Sequence, residues 1–183
     1  MQTISPERFD PVIVHANYIT VPVGGIWGPR TIPDIELIYC VHGRFFYHDV
    51  LGHDVTFGPG ELLLISPKLE HTVGWRRGRA AKFACIHCEP VRHYRYVDGK
   101  YQIEPAAKLV TSTGRDPLLR SLFEQTARAF AGGGGGFRKE LVSSLVRSIW
   151  LRLAEYWEPK TSGTPSVRIE QMVEFLRRRY QDP

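Results

Sequence analysis

Between Ile35 and Trp75 the chain alternates short apolar runs with turn residues. Ile35–Gly43 reads IELIYCVHG, Arg44–His48 reads RFFYH, and after a turn at Gly52 come Val55–Phe57 (VTF), Glu61–Ser66 (ELLLIS) and His71–Trp75 (HTVGW). Runs rich in β-branched and aromatic residues, interrupted by Gly and Pro about every eight to twelve positions, predict an all-β barrel or sandwich. Two further segments extend the pattern. Phe83–Cys88 (FACIHC) reads as a later strand, and Pro11–Val21 (PVIVHANYITV) as a first strand or an arm laid over the barrel mouth.

Past residue 112 the period changes. Asp116-Pro117 has the chemistry of an N-cap followed by proline at the first helical position. Leu119, Leu122, Phe123, Thr126 and Phe130 then fall on one helical stripe. Gly132–Gly136 ends that helix in a flexible connection; it lacks the Lys-Ser/Thr that a phosphate loop needs.

A second helix, Phe137–Trp157, carries Val142, Leu145, Val146, Ile149, Leu153, Tyr156 and Trp157 on one side. Leu141 and Trp150 widen its apolar arc to about half the circumference, more than the ~100° of a single core contact. Such an arc serves either packing on the sheet and the first helix, or dimerisation through Leu141, Val142, Leu145, Ile149 and Leu153. Glu158–Pro165 (EPKTSGTP) is a linker by composition. Ser166–Tyr180 follows as an amphipathic helix with Ile169, Met172, Val173, Leu176 and Tyr180 on one stripe. The organisation expected is a barrel with an N-terminal arm (1–112), a helical region (113–158), and a linker with a terminal helix (159–183).

Composition narrows the classes. At 183 residues the chain holds one domain with a real core and an appendage. No apolar run approaches the ~18 residues of a membrane span. The opening MQTISPERFD has Pro and charges where a signal peptide needs an apolar stretch, so a cytoplasmic location without membrane contact is expected. Three cysteines do not make a disulfide framework. Cys85-Ile86-His87-Cys88 contains a CxxC, but on a strand its two cysteines point to opposite faces, and no second pair stands at finger spacing. The net charge of +5 is uneven. Residues 1–70 hold 4 basic and 8 acidic side chains, whereas 71–100 hold 7 and 2, including Arg76, Arg77, Arg79 and Lys82. That run reads as a solvated edge or as a site for an anionic ligand.

Taken in order, these parts resemble the AraC/XylS family of transcription regulators. Glu36–Gly43 (ELIYCVHG), Phe57–Pro67 (FGPGELLLISP) and His71 are similar to that family's cupin-type sensor domain, and Lys82–Pro90 (KFACIHCEP) to its following strand, with Cys88 in place of an aromatic. Arg168–Pro183 (RIEQMVEFLRRRYQDP) resembles the opening helix of the family's DNA-binding domain. The resemblance implies a mainly β plus α fold: a cupin-like double-stranded β-barrel, two linker or dimerisation helices, and a terminal helix.

It also implies an effector-binding, homodimeric portion of a regulator, which would meet DNA only through the helix-turn-helix units that the sequence does not contain. Arg177, Arg178 and Arg179 would then touch phosphates in a complete protein, or simply form a solvated helix face. Period 2 places His71, Val73 and Trp75 on one face of their strand. With the inward faces that the resemblance implies, Glu36, Ile38 and Cys40 join them, as do Phe83, Cys85 and His87. Arg30 at the barrel mouth is a candidate for a ligand anion or for pairing with Glu36. The ligand-binding set is therefore Arg30, Glu36, Ile38, His71, Val73, Trp75, Phe83, Cys85 and His87, for a sugar, a small acid or an aromatic acid.

Cupin enzymes hold a metal with His-x-His, a Glu and a later His. Glu36 and His71 match the last two, but no histidine stands near Arg30 and Ile32. The expectation is accordingly no metal, no cofactor and no catalysis. A metal-dependent isomerase or dioxygenase, and a free-standing binding module, are the alternatives.

Overall fold

The computed structural model describes residues 2–75, 80–90, 101–132 and 135–159. The expected terminal helix with its three arginines, and Arg76, Arg77 and Arg79, lie outside the described residues.

Ile35–His42 sets the architecture, because it is apolar on both faces. Six successive residues from Ile35 to Cys40 are buried. Ile35, Leu37 and Tyr39 join one core cluster with the helices, while Ile38 and Cys40 join a second cluster inside the barrel. A strand buried on both sides belongs to a middle layer, which explains the missing polar alternation.

In chain order the elements are β1 (Gln2–Ile4), β2 (Val12–Val21), β3 (Ile26–Arg30), β4 (Ile35–His42), β5 (Phe45–Asp49), β6 (Asp54–Phe57), β7 (Glu61–Ile65), β8 (His71–Gly74), β9 (Ala81–Glu89), β10 (Tyr101–Ile103), β11 (Val110–Ser112), α1 (Pro117–Ala131) and α2 (Arg138–Trp157). The larger sheet runs β11-β7-β4-β9-β2 and the smaller β3-β8-β5-β6; β1 pairs with β10 separately. Every pairing within the two large sheets is antiparallel. Between the sheets lie Phe45, Tyr47, Phe57, Leu63, Ile65, Val73, Trp75 and Phe83. The mainly β plus α architecture expected from the sequence is the one formed.

Residues 12–21 take the strand role rather than that of an arm: β2 pairs with β9 along its length, with a bulge between Ile13 and His15. β3 was not anticipated, since Gly28-Pro29 within IWGPR reads as a turn. It is tolerated because β3 is an edge strand, bulged between Trp27 and Arg30. Gly28 has φ +126°, and a Cβ there would come within 2.5 Å of the His71 carbonyl oxygen.

The helices cover the outer face of the larger sheet. Asp116 caps α1 as the sequence predicts, accepting from the Leu118 and Leu119 amides at 2.8 and 3.4 Å. Phe123 stacks on Tyr39 at 5.2 Å, and Trp150 of α2 stacks on Phe9 at 4.1 Å. Burying each such ring contributes roughly 2–3 kcal/mol.

The wide arc of α2 is thus largely filled from within the chain. Of the five positions expected at a dimer interface, Val142, Ile149 and Leu153 are buried in this chain's own core. Leu145 is half-buried and Leu141 is exposed. A second copy could meet only the latter two, together with exposed Phe137 and Leu151.

Candidate functional site

Three inward strand faces converge on one cavity. The register sets Glu36 opposite His87, Ile38 opposite Cys85 and Cys40 opposite Phe83, while β2 brings His15, Asn17 and Ile19 opposite His87, Cys85 and Phe83. From the other sheet, β3 and β8 supply Trp27, Arg30 and Val73. Together His15, Asn17, Ile19, Trp27, Arg30, Glu36, Ile38, Val73, Phe83, Cys85 and His87 line about 210 Å³. That is about seven waters' share of liquid volume, room for a compact ligand. One wall is aromatic: Trp27 meets Phe83 edge to face at 5.4 Å.

The polar floor is built around Glu36, which is 2% exposed. Arg30 Nη2 reaches both carboxylate oxygens, at 2.8 and 2.7 Å. The Cys85 thiol donates to Oε1 at 3.2 Å, and His87 Nε2 lies 3.3 Å from the same oxygen. The other nitrogen of His87, Nδ1, lies 3.0 Å from Asp34 Oδ1. Both ring nitrogens therefore face carboxylate oxygens, which only accept, and the ring is held as an imidazolium.

The titration directions follow. Burial would lower the His87 pKa, but hydrogen bonds to Asp34 and Glu36 and their charges push it up to about 9. Burial would raise the Glu36 carboxyl, yet the His87 hydrogen bond and charge, then Arg30 and Cys85, hold it below the usual carboxylate range. The Cys85 thiol goes well above its ordinary value through burial and the neighbouring Glu36 charge. It is a hydrogen-bond donor here, not a nucleophile.

Of the nine residues expected to bind a ligand, Arg30, Glu36, Ile38, Val73, Phe83, Cys85 and His87 line the cavity. Of Arg30's two expected roles, the structure shows the pairing with Glu36. His71 and Trp75 face inward but do not line it. His71 lies behind Glu36, with Nδ1 donating to the Leu69 carbonyl at 2.8 Å, Nε2 3.8 Å from Glu36 Oε2, and its ring stacked on Tyr47 at 6.0 Å. Trp75 packs on Phe45 at 5.8 Å and lines a separate surface depression with Arg44 and Phe46.

Sequence reading missed His15, Asn17, Ile19, Trp27 and Asp34. Alternating His and Asn inside an otherwise β-branched strand was the available signal, since Asn is depleted in strands. The CxxC divides as its spacing requires: Cys85 belongs to the inner cluster and Cys88 to the outer one.

Among the described residues, Glu36, Cys85 and His87 offer donor atoms that all lie within 4.8 Å of one another. The set does not fit a cation well. Glu36 is neutralised by Arg30, both His87 nitrogens carry protons toward carboxylates, and Cys85 is held as a thiol, whereas a metal needs free lone pairs and a thiolate.

No protein-family model and no curated protein sequence matches this chain. Solved structures are similar to it at low identity. An RmlC-like cupin family protein with a double-stranded β-helix fold from Methanocaldococcus jannaschii is 10% identical, covers 43% of this chain and 72% of its own, and has a TM-score of 0.39. YhaK from Escherichia coli is 16% identical over 55% of this chain and 41% of its own, with a TM-score of 0.40. A Cupin 2 conserved barrel domain protein from Salinispora arenicola is 14% identical over 42% and 72%, with a TM-score of 0.36.

Proposed function

We propose that this chain is the effector-sensing portion of an AraC-like transcription regulator, binding a small organic molecule in the barrel. The observation that carries the binding role is the cavity itself. Aromatic and aliphatic side chains from two sheets share the lining about equally with convergent polar groups, the ingredients of a small-molecule site.

The sensing role is supported by what the cavity touches. His15 lies edge-on to His87 at 6.0 Å and to Phe130, near the end of α1, at 5.9 Å. Phe130 in turn carries the Arg138 guanidinium at 5.6 Å from its ring, at the start of α2. A ligand that prefers one placement of His15 biases the junction between the helices, provided it binds the two placements with different affinity. Dimer formation in this reading uses the exposed side of α2.

The second reading, a metal-dependent enzyme, is favoured by the Glu36, Cys85 and His87 group. The proton and ion-pair assignments around it count against that reading. A thermal-shift screen against sugars, small carboxylates, aromatic acids and alcohols, and divalent zinc, manganese and iron separates the two. A folded-state ligand raises the melting temperature. An organic ligand whose shift disappears in Phe83→Ala supports sensing. A shift with metal alone, lost in Glu36→Gln, refutes it in favour of the enzyme.

A further inference from the structure

We propose that the barrel cavity selects an uncharged, hydroxyl-bearing ring over the corresponding carboxylate; this rests on the effector-binding reading above and narrows it. The charges of the site are already balanced. Arg30 and the His87 imidazolium face Glu36 and Asp34 in a continuous chain of contacts: Arg30–Glu36 at 2.7 Å, Glu36–His87 at 3.3 Å and His87–Asp34 at 3.0 Å. Among the described residues that line the cavity, these two positive groups are each matched by a carboxylate. A carboxylate that captured Arg30 would take it from Glu36, stranding a buried anion, and breaking one side of a buried pair is strongly unfavourable.

What the site does leave open is hydrogen bonding. Among the described residues that line the cavity, two buried atoms have no hydrogen-bond partner: the Arg30 Nε–H, a donor, and Asn17 Oδ1, an acceptor. Asn17 Nδ2 is already engaged with His15 Nε2 at 3.0 Å. A carboxylate only accepts and leaves Asn17 unanswered, whereas an ammonium only donates and leaves Arg30 unanswered. A hydroxyl does both, and two hydroxyls on one ring serve both atoms at once. The ring itself is called for by the walls, where Trp27, Phe83, Ile19, Ile38 and Val73 offer apolar faces around about 210 Å³. A cyclic sugar and an aromatic alcohol share this chemistry.

Isothermal titration at neutral pH with matched pairs tests the inference: glucose against glucuronate, benzyl alcohol against benzoate, and cyclohexanol against cyclohexanecarboxylate. At least one neutral member is expected to bind roughly tenfold or more tightly than its acid, the discrimination of one unpaired buried group. Asn17→Leu, on an edge strand, is expected to weaken that binding by a similar factor with the melting temperature retained. Glu36→Gln, which leaves Arg30 uncompensated, should shift preference toward the acid; if that variant does not fold, Asp34→Asn asks the same of His87. Tighter binding of the acids overturns the inference and leaves the effector reading standing. So does unaltered affinity in Asn17→Leu. Binding by none of the three pairs overturns the inference, whereas the effector reading falls only if the wider organic screen is also silent.

Discussion

Replacing His87 by Gln should remove a large part of the stability that this protein loses between pH 6 and pH 9. In the folded chain the imidazolium is clasped by Asp34 and Glu36, which raises its pKa from the usual 6.5 to about 9. A group whose pKa is raised on folding stabilises the native state fully below its unfolded value and ceases to do so as pH climbs through its folded value. At about 1.36 kcal/mol per pH unit, that displacement is worth roughly 3 kcal/mol at pH 6, nearly all of it gone by pH 9. The His87 side chain is only 15% exposed, so solvent screening removes little.

Other groups contribute to the same decline and must be subtracted. Burial pushes the Cys40 thiol up to about 12 and raises Cys85 and Cys88 as well, so unfolded cysteines ionise near pH 8.5 while folded ones do not. Comparing native protein with His87→Gln cancels that part. Urea unfolding followed by tryptophan fluorescence at pH 6, 7, 8 and 9 gives the two profiles. The gap between them should close by about 3 kcal/mol across the window. Parallel profiles would refute the assignment of His87 as a buried cation.

The remaining predictions are more local. Asp116→Ala removes the α1 cap together with the partner of Arg152 Nε at 2.8 Å and of the Tyr156 hydroxyl at 3.0 Å; a loss of about 2 kcal/mol is expected in chemical denaturation. Cys40, Cys85 and Cys88 are all free and buried, so a thiol-reactive chromophore should label the native protein slowly and all three sites rapidly in denaturant. Leu141 is 53% exposed, so Leu141→Asp should leave the melting temperature nearly unchanged. If copies associate through α2, it should also convert a sedimenting dimer to a monomer.

How much of this was legible in the sequence depends on how local the deciding contacts are. The strands between Ile35 and Trp75 and both helices were readable, because apolar period and turn residues act within a few positions. β1, β10 and β11 have three residues each, too few to carry a period. The site was half legible. Glu36 stood out as a charge inside an apolar run, and its neighbours two residues apart followed from the pleat. His15 and Asn17 did not, since their face depends on the bulge after Ile13, and a shift of one residue turns every side chain over. Asp34 pairs with a residue 53 positions away, so nothing near it in the chain signals its role.

The same two-faced strand that obscured the inward direction also gives the sensing reading its physical route. On β4, Glu36 and Ile38 face the cavity, while the alternate residues Leu37 and Tyr39 face the helices, with Tyr39 stacked on Phe123 of α1. Successive strand residues are only about 3.3 Å apart and point to opposite faces, so a change in how Glu36 is held cannot be confined to one side. β2 repeats the arrangement at the sheet edge, where His15 and Asn17 face the cavity and Ala16 between them packs into the helical core. A fully polar outer face on these strands would have made a better isolated binding module. Here the outer face is instead joined to two helices, so that whatever the cavity binds acts on strands that the helices also hold.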